Sequence, residues 1–140
     1  MKKLFKLPVL LTLIVLFPLL GFSQLDLGKT KSQIKSNFNV APCEEEERTL
    51  TYCSSDGSMI AYVFTNNRCE SIQFWTAYSS KYKADIELEN AINSFAQENN
   101  QTPMRRGGMT TFTQGYGVGV GFSVVEYKGT NYVRQIYQEY

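Results

Sequence analysis

The sequence predicts an α+β domain in the order helix-βββ-helix-βββ, with two helices packed on antiparallel sheet. Three observations carry that expectation. Two stretches space their apolar residues at helical intervals behind a capping residue. Period-two alternation of β-branched and aromatic residues follows each of them, and clusters of Ser, Asn, Asp and Gly separate the alternating runs. The repeated order suggests an internal duplication, with halves at about 25–80 and 81–140, although the halves share no convincing residue identity.

The first helix is expected from Lys31 to Asn37. Thr30 and Gln33 form a capping box, in which the hydroxyl takes an orphan N–H and the amide reaches back, and Ile34 and Phe38 lie on one face. So short a helix must dock on something. Thr49 to Cys53 alternates, Ser54-Ser55-Asp56-Gly57 turns, and Met59 to Thr65 is a second strand. Asn66-Asn67-Arg68 turns again into Cys69 to Tyr78, where Ile72, Phe74 and Tyr78 alternate with Gln73, Trp75 and Ala77. Asp85 is the expected cap of the second helix, whose Leu88, Ala91, Ile92, Phe95 and Ala96 share a face up to Asn99-Asn100. Three further strands are expected at Met109 to Thr113, Tyr116 to Tyr127 and Tyr132 to Tyr137.

Ahead of the domain, Lys2, Lys3 and Lys6 precede an apolar run from Leu7 to Phe22, with small residues at Gly21 and Ser23. This is the three-part pattern of a bacterial-type secretory signal peptide, read over 1–23, leaving 24–140 as the mature domain. The run contains Pro8 and Pro18 and is shorter than the ~20 residues that span a bilayer, so no integral span is expected after cleavage. Gln24 stands where a lipoprotein has its cysteine. The expected location is therefore periplasmic or secreted.

Export makes disulfides possible for Cys43, Cys53 and Cys69. With Cys53 at one end of a strand on the order of 25 Å long (~3.3 Å per residue) and Cys69 at the other, a Cys53–Cys69 bridge is out of reach. Cys43, preceding the first strand, is placed at the same end as Cys69, so Cys43–Cys69 is favoured, with Cys43–Cys53 as the alternative. Three thiols without histidine match no zinc pattern, and neither metal nor cofactor is expected.

Histidine is absent from the whole chain, which removes the commonest general base and every Ser-His or Cys-His pair. The formal charge is +1, from 14 Lys+Arg against 13 Asp+Glu, and no basic tail marks a nucleic-acid binder. Consecutive Glu44 to Glu47 radiate rather than converge on a calcium ion and read as a solvated loop. The one carboxylate pair left for a hydrolase is Glu70 with Glu126, both on strands. A catalytic constellation is not found, and no enzyme activity is expected.

Binding is the remaining class. Gly115 to Phe122 fits no phosphate or dinucleotide loop, but alternation puts Gly115, Gly117, Gly119 and Gly121 on one face and Tyr116, Val118, Val120 and Phe122 on the other. Such a bare face admits close packing, strand bending or a flat ligand. Trp75 is expected to face solvent, and Arg105 and Arg106 form a small basic loop. Aromatic enrichment with few charges suits a protein-contact surface. The candidate contact residues are thus Trp75, Arg105, Arg106, Tyr116, Gly117 and Gly119. The expected function is a non-enzymatic envelope protein acting by contact with another envelope or secreted protein, as inhibitor, immunity protein or scaffold; a small-ligand module on the glycine face is the alternative.

The opening Leu25-Asp26-Leu27-Gly28-Lys29-Thr30-Lys31-Ser32-Gln33-Ile34 resembles that of BamE/OmlA-type envelope modules and of β-lactamase-inhibitor-like tandem αβ modules. The resemblance covers about Leu25 to Tyr78, and Lys83 to Tyr137 by element order alone. It implies a helical segment before a three-stranded meander in an exported, non-enzymatic, protein-binding module, and it transfers no site residue.

Overall fold

The computed structural model describes residues 26–113 and 117–139. The leader read over 1–23 lies outside the described residues, as does Tyr116. The described chain forms helix α1 (Lys31–Ser36), strands β1 (Glu44–Glu45), β2 (Thr49–Cys53), β3 (Met59–Thr65) and β4 (Arg68–Tyr78), and helix α2 (Lys81–Asn99). Strands β5 (Met104–Arg106), β6 (Met109–Thr113), β7 (Val118–Tyr127) and β8 (Thr130–Glu139) follow.

The α+β duplication of helix-βββ-helix-βββ is overturned. All eight strands join one antiparallel sheet in the order β1-β2-β3-β4-β8-β7-β6-β5, and four strands follow each helix rather than three. Only α2 lies along the sheet; α1 sends in one buried side chain, Ile34. The two strands that alternation could not signal are the edges. Two or three residues are too few to show a period, and both segments read as charged loops.

Each short edge is tied to a helix by one ion pair. Lys35 of α1 meets Glu45 of β1 at 2.8 Å, and Arg105 of β5 grips Glu89 of α2 through two contacts of 2.7 Å. Short charged edges also discourage pairing with a second sheet.

α1 carries the expected capping box, with Gln33 N–H donating to Thr30 Oγ1 and Thr30 N–H donating to Gln33 Oε1 at 2.9 Å. α2 starts earlier than expected. Ser80, in extended conformation, accepts from Lys83 N–H, while Asp85 sits inside the helix and pairs with Lys81 at 2.7 Å. Serine is as good a cap as aspartate, and its position after β4 leaves α2 room for five turns. Asn100, at φ 49°, closes that helix.

Cross-strand register assigns each side chain to a face. One row runs Leu50, Tyr62, Ile72, Tyr137, Val120, Phe112 across six strands and is buried against the helices. Around it lie two packed clusters. Ile34, Leu50, Tyr52, Tyr62, Phe64, Cys69 and Ile72 form one; Ile92, Phe95, Phe112, Val120, Phe122 and Tyr137 form the other, and Phe74 touches both. The adjacent row on the opposite face reads Thr51, Ala61, Gln73, Ile136, Gly121, Thr111, and no helix among the described residues covers it.

The disulfide is Cys43–Cys53, with Cα atoms 5.8 Å apart, and not Cys43–Cys69. β1 is the reason. By pairing Glu44 with Thr51 and Glu45 with Leu50, it runs antiparallel to β2 and carries Cys43 to the Cys53 end, where Cys43 N–H donates to Thr51 O at 2.9 Å. Cys69 is a free thiol packed into the helix-side core. A disulfide suits an oxidising compartment. No helix among the described residues is long and apolar enough to cross a membrane.

Candidate functional site: the uncovered sheet face

The face turned away from α2 mixes small and polar residues (Thr49, Thr51, Ala61, Ser71, Ser123, Thr113) with the apolar Val63, Val125, Ile136 and Met109, and Thr51, Ser71 and Ser123 are buried among their neighbours. A different chemistry occupies one region. Met59 on β3, Trp75 on β4, Arg134 on β8 and Ser123 on β7 stand in one cross-strand row, with Tyr132 in the next row. The Tyr132 and Tyr127 rings meet Trp75 edge-to-face, with centroids 5.6 and 6.1 Å away. The Arg134 guanidinium lies 5.4 Å from the Trp75 ring centroid, a cation–π distance.

Polar contacts fix two of these side chains. Trp75 Nε1–H donates to Gln73 Oε1 at 3.1 Å, and Arg134 Nε–H donates to Ser123 Oγ at 3.3 Å. The terminal nitrogens of Arg134 donate to no acceptor among the described residues, and no carboxylate there pairs with it. Desolvation under the aromatic side chains pulls its proton affinity below the ordinary guanidinium value, yet a guanidinium keeps its charge at any physiological pH. At the rim, Lys128 Nζ lies 4.9 Å from the Tyr127 ring centroid, and its hydrogen bond with Tyr127 raises its proton affinity.

The predicted contact residues divide between the two faces. Trp75 shares the uncovered face with Gly119, two strands away, and its half-buried position agrees with the solvent-facing expectation. Arg106 is on this face as well, opposite Met109 at the far edge. Arg105 is not; it points to the helix side, where Glu89 holds it. Gly117 begins the described part of this segment at φ +74°, a conformation glycine adopts freely. The glycine face is no open slot at Gly121, because Met109 Sδ lies 3.2 Å from where a Cβ would stand. The helix-packing explanation of the glycines also fails, since α2 covers Val120 and Phe122 on the other side.

Arg134 is the residue that reading the sequence missed. Tyr132-Val133-Arg134-Gln135-Ile136 shows by alternation that Tyr132, Arg134 and Ile136 share a face, but only the β4–β8 register puts Arg134 beside Trp75.

The hydrolase pair is dissolved by topology. Glu70 sits near one end of β4, beside Ser71 opposite Gln138, and Glu126 pairs with Asn131 at the other end of the sheet. Eight residues of strand at ~3.3 Å each put them on the order of 25 Å apart, far beyond the ~5–9.5 Å of glycosidase pairs. Glu70 instead stands 3.8 Å from Arg48. Among the described residues, no group of three His, Cys, Asp or Glu side chains converges on a common point. No family model matches the chain, and neither a characterised protein nor a solved structure matches it.

Proposed function

We propose that this chain is an exported, periplasmic or secreted binding protein that acts by contact with another protein through its helix-free sheet face. One observation carries the reading: Trp75 lies against Arg134, whose terminal nitrogens have no acceptor among the described residues, on the sheet face turned away from α2. A tryptophan, two tyrosines and an arginine clustered on an uncovered sheet have the composition of an interface hot spot, in which a few large side chains supply affinity. The Cys43–Cys53 disulfide supports an exported location. The action would be occlusion or scaffolding, with the aromatic cluster as anchor, and with the Lys128 charge at its rim and the Arg106 charge at the far edge of the sheet setting orientation.

The test is capture of a partner from envelope extract on immobilised protein, comparing wild type with Trp75→Ala and Arg105→Ala. A specific partner retained by wild type and by Arg105→Ala, and lost with Trp75→Ala, is the expected result. Arg105 serves as the control because it is engaged with Glu89 on the other side of the sheet. Equal retention by all three proteins would refute the assignment of the contact to this face.

A further inference from the structure

We infer that the partner seated on this face presents a carboxylate, from an Asp or Glu side chain in an acidic segment, to the free guanidinium fork of Arg134. The inference rests on the protein-contact reading above and names the chemistry of the contact.

Arg106 is exposed at the β5 edge, whereas Arg134 is half-buried in the sheet, and it differs from the three arginines that the fold engages. Arg48 donates to Phe64 O and Thr65 Oγ1, Arg68 to Gly28 O, and Arg105 to both carboxylate oxygens of Glu89. A guanidinium has five N–H donors in a rigid fork, and Arg134 engages one of them, Nε–H, with Ser123. Ser123 and Trp75 hold the side chain in place, so little rotamer freedom is left to lose on binding.

Five acids of the fold are committed to other cations. Asp26 pairs with Lys29, Glu45 with Lys35, Glu70 with Arg48, Asp85 with Lys81 and Glu89 with Arg105. On the uncovered face the register places Glu44 at the β1 edge, opposite Thr51, and the cation Arg106 at the other edge. A partner covering the aromatic cluster would desolvate Arg134 further. Burying that charge without a counter-charge is strongly unfavourable, whereas a carboxylate can accept two parallel N–H bonds from the fork. A small free anion would satisfy the fork but leave the accessible parts of Trp75 and Tyr127 wet, which favours a peptide carrying apolar side chains beside its acid.

Trp75 is the chain's single tryptophan and reports on the site directly. The full chain is titrated at low salt with a capped, tryptophan-free peptide of Glu-Leu-Gly repeats, with its Gln-Leu-Gly counterpart, and with sodium acetate, following tryptophan fluorescence. The Glu peptide should give a saturable change that weakens about tenfold in Arg134→Gln and again in ~0.5 M NaCl, where charges are screened within a few ångströms. The Gln peptide should bind about tenfold more weakly to wild type, as expected for loss of a charge-assisted bidentate contact. Acetate should produce no saturable change over the same range.

Equal binding of the Glu and Gln peptides overturns the carboxylate inference while leaving the contact reading intact, as does retention of a Trp75-dependent partner by Arg134→Gln. A saturable acetate response equal to that of the peptide overturns the assignment to a protein segment. Failure of the Glu peptide to bind overturns the inference as well. The wild-type Glu/Gln comparison requires no variant to fold, and Arg134→Lys, which keeps charge without the fork, should recover only part of the affinity.

Discussion

Replacing Cys43 and Cys53 by serine should cost the fold about 2.7 kcal/mol in the chain-entropy account, and that figure follows from the loop alone. The cysteines are separated by 10 in sequence. A loop of that length, once opened, returns about 9 cal/mol/K of freedom to the unfolded chain, which is the quoted energy at 25 °C. The native side loses little, because β1 retains its two register pairs with β2 and the Lys35–Glu45 contact.

With a urea slope of about 1–1.5 kcal/mol/M for a domain of this size, the unfolding midpoint should fall by roughly 2 M. Reducing the wild-type protein should reproduce that shift. A peptide map made without reduction should return Cys43 linked to Cys53. Recovery of a Cys43–Cys69 peptide would refute the register of β1, since only that two-residue pairing brings Cys43 to the Cys53 end of the sheet. An unchanged midpoint in the double serine variant would instead refute the entropic reasoning.

The free thiol of Cys69 is pushed up to about 12 by burial, so it should resist a thiol reagent at pH 8 in the native protein and titrate as one group per chain in denaturant. The Asp56 carboxyl is held below its ordinary value by the Ser54 hydroxyl and the Ser58 N–H. Its stabilisation is therefore present above the unfolded value near 4 and disappears as pH falls through the folded one, so the denaturation gap between wild type and Asp56→Ala should close on acidification below about pH 4. Gly121→Ala should change stability by less than about 0.5 kcal/mol if the flexible Met109 thioether gives way, whereas Gly121→Val should cost about 1–3 kcal/mol by overpacking; equal urea midpoints for the two variants would show that Met109 does not cover the glycine. Phe112→Ala, from the core, should cost about 3–5 kcal/mol and Trp75→Ala, on the half-exposed face, markedly less. A reversed order in urea melts would make Trp75 a folding residue rather than a binding one.

What could be read in the sequence was whatever a single strand or helix expresses alone. Thr49–Cys53, Met59–Thr65 and Met109–Thr113 lie where alternation put them, and the Thr30–Gln33 capping box is present. The pattern also separated Gln73, Trp75 and Ala77 from Ile72 and Phe74, so the face of Trp75 was legible. Three features depended on pairing between segments. β1 and β5 become strands because the adjacent five-residue strands template two or three residues each, too few to show a period of their own. The continuity of the sheet rests on β4 pairing with β8 along eight register pairs, which no local signal announces. The choice of Cys43–Cys53, the alternative pairing, over Cys43–Cys69 followed from the first of these pairings and the Trp75–Arg134 stack from the second, so a reading made one segment at a time ranked the bridge second and missed the stack.

The contrast between the two faces supplies a physical reason to assign Trp75 and Arg134 to contact. A sheet needs large apolar side chains only where another layer must be packed, and here that layer is the helix side, filled by Phe112, Val120, Phe122 and Tyr137 under α2. On the other side, a face meant only for water is well served by Thr, Ser, Ala and Gln, and much of it is so composed. Isolated exposed aromatics need no explanation, but Tyr127 and the buried Tyr132 both meet Trp75, which lies against a guanidinium that has no counter-charge among the described residues. An intramolecular carboxylate, as Glu89 provides for Arg105, would have satisfied that fork at little cost. Leaving it open keeps a strong, directional donor set available to a second molecule, and the surrounding rings exclude the water that would otherwise weaken the contact.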